Sequence, residues 1–258
     1  MGNSIVSKLV FPIPDGQASG PLYKIKDIPS TGGRGSTGYN IPFFVVPGVH
    51  SDWCILYSHG NAENLDEVYI WCKEISEKLG CAVIAYDYCG YGAHRIWCDG
   101  THPSEQNVYD DIKDIYDFAR DKVASKVVIW GRSLGAAPTI WLAAQVQPTG
   151  VILQSPFRTI VRTLSSNRVL RHWDMFKNEE FIHLIHSPTA FIHGTQDEVC
   201  PFEHGKYLYE HCKAAHKRKL WIPKAGHNDI DQLPMRKEVY HLVVALRDKL
   251  KLGDPTFA

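Results

Sequence analysis

The stretch Val127-Val128-Ile129-Trp130-Gly131-Arg132-Ser133-Leu134-Gly135-Ala136-Ala137 decides the reading of this chain. It runs from an apolar, β-branched strand through a turn marked by two glycines into a small-residue run that opens a helix. A serine at the centre of Gly-x-Ser-x-Gly in that strand–turn–helix context sits on a sharp turn, with its hydroxyl projecting above the edge of a sheet. Gly131 and Gly135 lie two residues either side of Ser133, where a side chain would crowd the crossing strand and helix. Ala136, Ala137, Ala143 and Ala144 keep the following helix slim enough to pack close.

The same alternation of strand and helix extends in both directions. Upstream, strands are expected over 22–28, 39–46, 53–58 and 81–86, with helices over 65–79 and from Glu105, capped by Ser104, to about Val123. Cys81–Tyr86 is wholly apolar, as a strand buried on both faces requires. Downstream come a helix to about Gln145, strands over 151–155, 189–194 and 220–222, a helix over 203–212 and a closing amphipathic helix over 233–250. This order predicts an α/β fold, a mostly parallel central sheet with helices on both faces. Residues 1–37 are expected to form an N-terminal arm and first strand, and 38–258 the α/β body, one structural domain overall. Segment 158–187 breaks the rhythm and is expected to be either a short lid or an amphipathic excursion packed on the body with its arginines in water. Its apolar residues, among them Ile160, Leu164, Trp173 and Phe176, are interleaved with Arg158, Arg162, Arg168 and Arg171.

The composition excludes several classes. The 258 residues carry 28 Lys plus Arg against 28 Asp plus Glu, and this balance gives no basic surplus for a nucleic-acid partner. Seven scattered cysteines form no Cys-x-x-Cys pair, so neither a metal site nor a cofactor is indicated, and a reducing, cytoplasmic setting is expected. No apolar run is long enough to span a bilayer. Met1-Gly2-Asn3-Ser4 resembles an N-myristoylation start, with Ser7 one place later than the motif asks.

Three residues at the ends of successive strands suit nucleophilic catalysis: Ser133, then Asp197, then His227. A serine hydroxyl is a poor nucleophile near neutrality, so an imidazole must take its proton and a carboxylate must orient that imidazole. His227 follows Gly226 in the loop after the last strand. Asp197 competes with its neighbour Glu198 and with Asp87 and Asp229 as the acid; the chain order of nucleophile, acid and base favours Asp197. An oxyanion hole would draw on the backbone N–H of Leu134 and on a second N–H from the loop His59-Gly60-Asn61-Ala62, with Asn61 preferred. His59 is expected to brace that loop.

The chain resembles the α/β-hydrolase-domain-containing protein 17 family of palmitoyl-protein thioesterases. The resemblance rests on Ser58-His59-Gly60-Asn61-Ala62-Glu63-Asn64-Leu65, Tyr86-Asp87-Tyr88-Cys89-Gly90-Tyr91-Gly92, Pro103-Ser104-Glu105, the serine turn, Ser155-Pro156-Phe157, His193-Gly194-Thr195-Gln196-Asp197-Glu198-Val199, His204-Gly205 and Gly226-His227-Asn228-Asp229-Ile230. It implies the α/β-hydrolase fold, Ser133, Asp197 and His227 as the triad, and hydrolysis of S-acyl-cysteine on membrane proteins, with small or lipid esters as the alternative substrates. The implied partner is an S-acylated protein or acyl ester. The N-terminal cysteine cluster of the family has no counterpart, since the first cysteine is Cys54. Only weak, reversible association with the cytoplasmic face of membranes is therefore expected.

Overall fold

The computed structural model describes residues 26–29, 40–61, 63–92, 103–164, 174–232 and 235–252. The N-terminal Gly2 motif, Cys98, Ala62 and the 165–173 part of the expected lid lie outside the described residues. The chain divides after Val127 into two compact units.

In the first unit β1 (Lys26–Pro29) pairs antiparallel with β2 (Asn40–Val46), and β2 pairs antiparallel with β4 (Cys81–Tyr86). β3 (His50–Ser58) runs parallel to β4. β3 starts three residues earlier than its apolar run suggests, because a register irregularity between His50 and Cys54 lets the polar start pair as well. Helix α1 (Leu65–Leu79) opens on a capping box: Asn64 accepts from Asp66 and Glu67 N–H, and the Glu67 carboxylate accepts from Asn64 N–H. It ends at Gly80 with φ 72°, a left-handed position that glycine adopts without a Cβ clash. Helix α2 (Glu105–Lys122) is capped by Ser104, as its sequence anticipates. Ile55, Leu56, Val83 and Ile84 are fully buried, and Leu65, Cys72 and Ile75 of α1 are buried with them. Cys54, Cys72, Cys81, Cys89, Cys200 and Cys212 are all buried and unbridged, small hydrophobes of the interior.

In the second unit β5 (Lys126–Arg132), β6 (Gly150–Gln154), β7 (Thr189–Gly194) and β8 (Lys217–Ile222) lie side by side, each parallel to the next. Parallel strands need crossovers, and these are α3 (Ala136–Val146), the segment holding α4 (Ile160–Leu164) and α5 (Asn178–Phe181), and α6 (Phe202–His211). Helix α7 (Met235–Lys249) closes the chain. β8 begins at Lys217, three residues before the apolar run expected to form it. Its basic start hides the strand pattern, yet both lysines have a use. Lys217 Nζ donates to the Tyr209 and Cys212 carbonyls at the end of α6, and Lys219 lies 5.1 Å from the Tyr209 ring centroid. No helix among the described residues is long and apolar enough to cross a membrane.

Candidate active site

β5 ends and a 3-10 turn (Ser133–Gly135) begins without an intervening loop, which forces Ser133 to φ 51°. That conformation costs a non-glycine residue about 1–3 kcal/mol, and the surrounding packing must hold it. Gly131 makes the turn possible: a Cβ there would fall on the Gly135 carbonyl oxygen and on Thr139 Oγ1. Thr139 Oγ1 donates to that carbonyl at 2.8 Å, tying the first turn of α3 to the elbow. Ala136 and Ala137 are fully buried, consistent with the close packing their size allows.

His227 and Asp197 reach Ser133 from the loops after β8 and β7. Those loops are stitched together by Thr195 N–H to the Ile222 carbonyl, Gln196 N–H to the Ala225 carbonyl and Lys224 N–H to Thr195 Oγ1. Gly194 permits the approach, since a Cβ there would land on the Ala225 carbonyl. His227 Nε2 lies 3.0 Å from Ser133 Oγ, and its Nδ1 lies 3.0 and 2.9 Å from the two oxygens of Asp197. All three side chains are buried. Asp197 Oδ1 also accepts from the N–H groups of Val199 and Cys200, at 3.0 and 2.7 Å. Burial works against the charged carboxylate, but hydrogen bonds from His193 and His227, the His227 charge and the Cys200 N–H outweigh it. They hold the Asp197 carboxyl well below the usual carboxylate range.

The competing carboxylates have other work. Glu198 Oε2 accepts the backbone N–H of His227 at 3.3 Å, and Asp229 Oδ2 accepts that of Gly226 at 2.7 Å, so both shape the histidine loop. Asp87 buttresses its own turn: its Oδ1 accepts Leu65 N–H at 3.1 Å and lies 3.5 Å from His59 Nε2. His59 is fully buried, with Nδ1 donating to the Gly60 carbonyl and its own carbonyl accepting from Tyr88 Oη at 2.6 Å. Burial lowers the His59 pKa, but the hydrogen bond and charge of Asp87 more than reverse this, leaving it raised. Asn61, half-buried in that loop, accepts from Tyr91 Oη at 2.6 Å, while Leu134 sits in the 3-10 turn directly after Ser133. Among the described residues no group of three or more His, Cys, Asp or Glu side chains is gathered as a metal site.

The sequence reading gave Arg132 no role in the site. This residue, nearly buried between the elbow glycine and the serine, donates from Nε to Asp231 at 3.0 Å and from a terminal nitrogen to Asn228 at 2.8 Å. Gln154 Nε2 donates to the other Asp231 oxygen at 2.8 Å, and Trp130 Nε1 donates to Gln154 Oε1 at 3.2 Å. The loop carrying His227 is thereby anchored to β5 and β6. An arginine between two buried positions needs an acidic partner, and that rule alone could have pointed to the acids following His227. Arg132→Leu is expected to lower stability by about 3 kcal/mol, measured by denaturant unfolding, and to loosen the loop that places His227 against Ser133.

The described part of the expected lid is more ordered in its charges than solvated arginines would be. Arg158 and Arg162 both reach Glu179, and the Arg158 guanidinium stacks 3.5 Å from the Tyr207 ring centroid. Nearby His204, half-buried, is pushed down to about 4, first by burial, then by Arg158, His193 and Arg162, with Glu179 opposing. The unfolded chain therefore binds this proton first as pH falls, since a free histidine titrates near 6.5. Stability tied to neutral His204 is full above about pH 6.5, and it drains as pH falls toward the folded value. Thermal melts between neutral and mildly acidic pH should show a smaller loss for His204→Gln than for the wild type.

A strained serine on a parallel-strand elbow, with a histidine and a buried aspartate in hydrogen-bonded series, defines an α/β hydrolase. The family model described as serine aminopeptidase, S33, matches residues 49–180, just over half of the chain. Human α/β-hydrolase domain-containing protein 17B is 34% identical over 203 residues, covering 77% of this chain and 68% of that one. The Xenopus tropicalis protein 17C is 35% identical over 185 residues, with 70% of this chain matched to 58% of its own length. The chain belongs to the α/β-hydrolase domain-containing protein 17 family. A solved esterase from Pyrococcus furiosus shares the fold at a TM-score of 0.69 and 14% identity, covering 92% of this chain and 94% of that one.

Proposed function

We propose that this chain is a serine hydrolase that cleaves acyl thioesters or esters through an acyl-enzyme on Ser133, with S-acyl-cysteine of membrane proteins as its substrate class. The observation that carries the chemistry is the continuous row from Ser133 Oγ through both ring nitrogens of His227 to the Asp197 carboxylate. His227 Nε2 takes the hydroxyl proton as Oγ attacks the acyl carbonyl, and Asp197 stabilises the imidazolium that forms. The N–H of Leu134, directly after Ser133, receives the oxyanion, one such donor being worth roughly 10²–10³ in rate. His227 then returns its proton to the departing thiolate or alkoxide, and water repeats the cycle on the acyl-serine. The choice of a thioester rests on family membership and not on the triad, which serves both ester classes.

The test is competition for fluorophosphonate labelling of the purified protein by a panel of S-palmitoyl peptides, short-chain esters and acylglycerols. Protection and turnover led by the S-palmitoyl peptides is the expected result. A clear lead for acylglycerols or short esters moves the assignment to a lipase or carboxylesterase. Absence of labelling at Ser133 points to a non-catalytic module. The protein is proposed to act in the cytoplasm with at most reversible membrane contact. Tight membrane retention that survives Gly2→Ala would contradict that placement.

A further inference from the structure

His193 stands at the end of β7, four residues before the acid, in a motif that the Ser133–His227–Asp197 row leaves unused. Its ring is fully buried. Nε2 lies 2.8 Å from the Cys200 carbonyl oxygen and 3.3 Å from Asp197 Oδ2. A carbonyl only accepts, so Nε2 carries the proton and shares it between that oxygen and the carboxylate. Nδ1, on the far side of the ring, is buried without a hydrogen-bond partner among the described residues. It faces Gly205 of α6, where a Cβ would fall directly on it.

An unpaired buried ring nitrogen costs stability, and a phenylalanine of similar shape would leave none. What a phenylalanine would not supply is the Nε2–H. The two oxygens of Asp197 are held differently. Oδ1 is fixed by the backbone N–H groups of Val199 and Cys200. Oδ2 is held, among the described residues, by imidazoles alone: His227 at 2.9 Å and His193 at 3.3 Å.

We infer that His193 is a positioning residue for the acid, locking the Asp197 carboxylate in the plane that His227 needs, and that Gly205 is glycine to admit its ring. The inference rests on the reading of Ser133, His227 and Asp197 as the catalytic row. Losing the Nε2–H removes the second imidazole from Oδ2, loosens the carboxylate on that side and concentrates its charge on His227. The base then binds its proton more tightly, and the acidic limb of the activity profile moves to higher pH. Among the described residues, the titratable or charged groups around this cluster include Cys200, His204, Glu198, Asp229 and Arg132. Cys200 is pushed up to about 12, first by burial and then by Asp197. Glu198 meets His227 through its backbone N–H, and Arg132 is committed to Asp231 and Asn228.

The experiment uses the full chain as wild type, His193→Phe, His193→Gln and Gly205→Ala, with Ser133→Ala as control. Fluorophosphonate labelling counts competent sites, and kcat and KM per competent site are then followed against pH with an S-acyl peptide. His193→Phe is expected to lower kcat between about 10- and 100-fold, with KM unchanged and the acidic limb displaced upward. His193→Gln, which can still offer an N–H, should recover part of both effects, and Gly205→Ala should move the profile the same way. A His193→Phe protein with wild-type kcat and profile per labelled site overturns the inference. So does a loss confined to the labelled fraction, which marks a packing role only. If His193→Phe does not fold, His193→Gln and Gly205→Ala decide: wild-type profiles in both refute the inference. Equal labelling of wild type and Ser133→Ala would instead refute the underlying catalytic reading.

Discussion

Ser133→Ala is expected to abolish hydrolysis, with a fall on the order of 10⁶ in kcat, while the fold stays intact. The expectation follows from what the hydroxyl touches. Ser133 Oγ meets His227 Nε2 at 3.0 Å and also bonds the buried Cys200 thiol. Alanine keeps the same Cβ at φ 51°, so the elbow is neither relieved nor further strained. Gly131 and Thr139, which determine the turn, are untouched. The stability change should be no larger than the loss of these hydrogen bonds, about 1 kcal/mol each. Turnover and fluorophosphonate labelling measure the first half of this expectation, and thermal unfolding measures the second. A folded mutant that keeps a tenth of wild-type activity would remove Ser133 from the reaction.

Some of this was open to reading along the chain, and the reasons differ by residue. The elbow was legible because its chemistry is local: Gly131, Ser133 and the alanines of α3 lie within one strand–turn–helix. Helix α1 was legible to the residue because the side chains of Asn64 and Glu67 bond the backbone at its start and Gly80 takes the left-handed turn at its end. Asp197 and His227 could be picked out as candidates by order, since one follows the apolar strand β7 and the other the apolar end of β8. The start of β8 was hidden because Lys217 and Lys219 pack along aromatic rings while carrying charge. Arg132 and His193 were hidden for another reason. Their partners are set by the approach of loops: Asn228 is 96 positions from Arg132, and the Cys200 carbonyl has no side-chain signature at all. Periodicity reports which face a residue takes. It does not report which buried donor meets which acceptor.

The acid is expected to be Asp197, and the pair Asp197→Asn and Glu198→Gln separates it from its neighbour. Both carboxylates touch His227, so proximity does not decide. They touch different atoms: Asp197 faces ring Nδ1 at 2.9 Å, whereas Glu198 accepts the main-chain N–H at 3.3 Å. Only the first can favour the tautomer that leaves Nε2 free to take the serine proton, and only the first stabilises the imidazolium. Asp197→Asn preserves shape but replaces an acceptor with a group that can offer Nδ1 an N–H, which favours the wrong tautomer. In a comparable triad that change costs roughly 10⁴ in kcat. Glu198→Gln keeps an oxygen for the His227 N–H and should cost far less. Acid sensitivity gives an independent reading of the same assignment. The folded Asp197 titrates below its unfolded value, so its contribution to stability is present above about pH 4 and is lost as pH falls through the folded value. Asparagine carries no such charge, so Asp197→Asn should unfold with a shallower dependence on pH in the acid range than the wild type. Turnover of both mutants above about pH 7, where an unperturbed histidine is mostly neutral, is the direct measurement. If Glu198→Gln is the more damaging of the two, the acid is misassigned, and the carboxylate facing Nδ1 holds the loop while Glu198 does the electrostatic work.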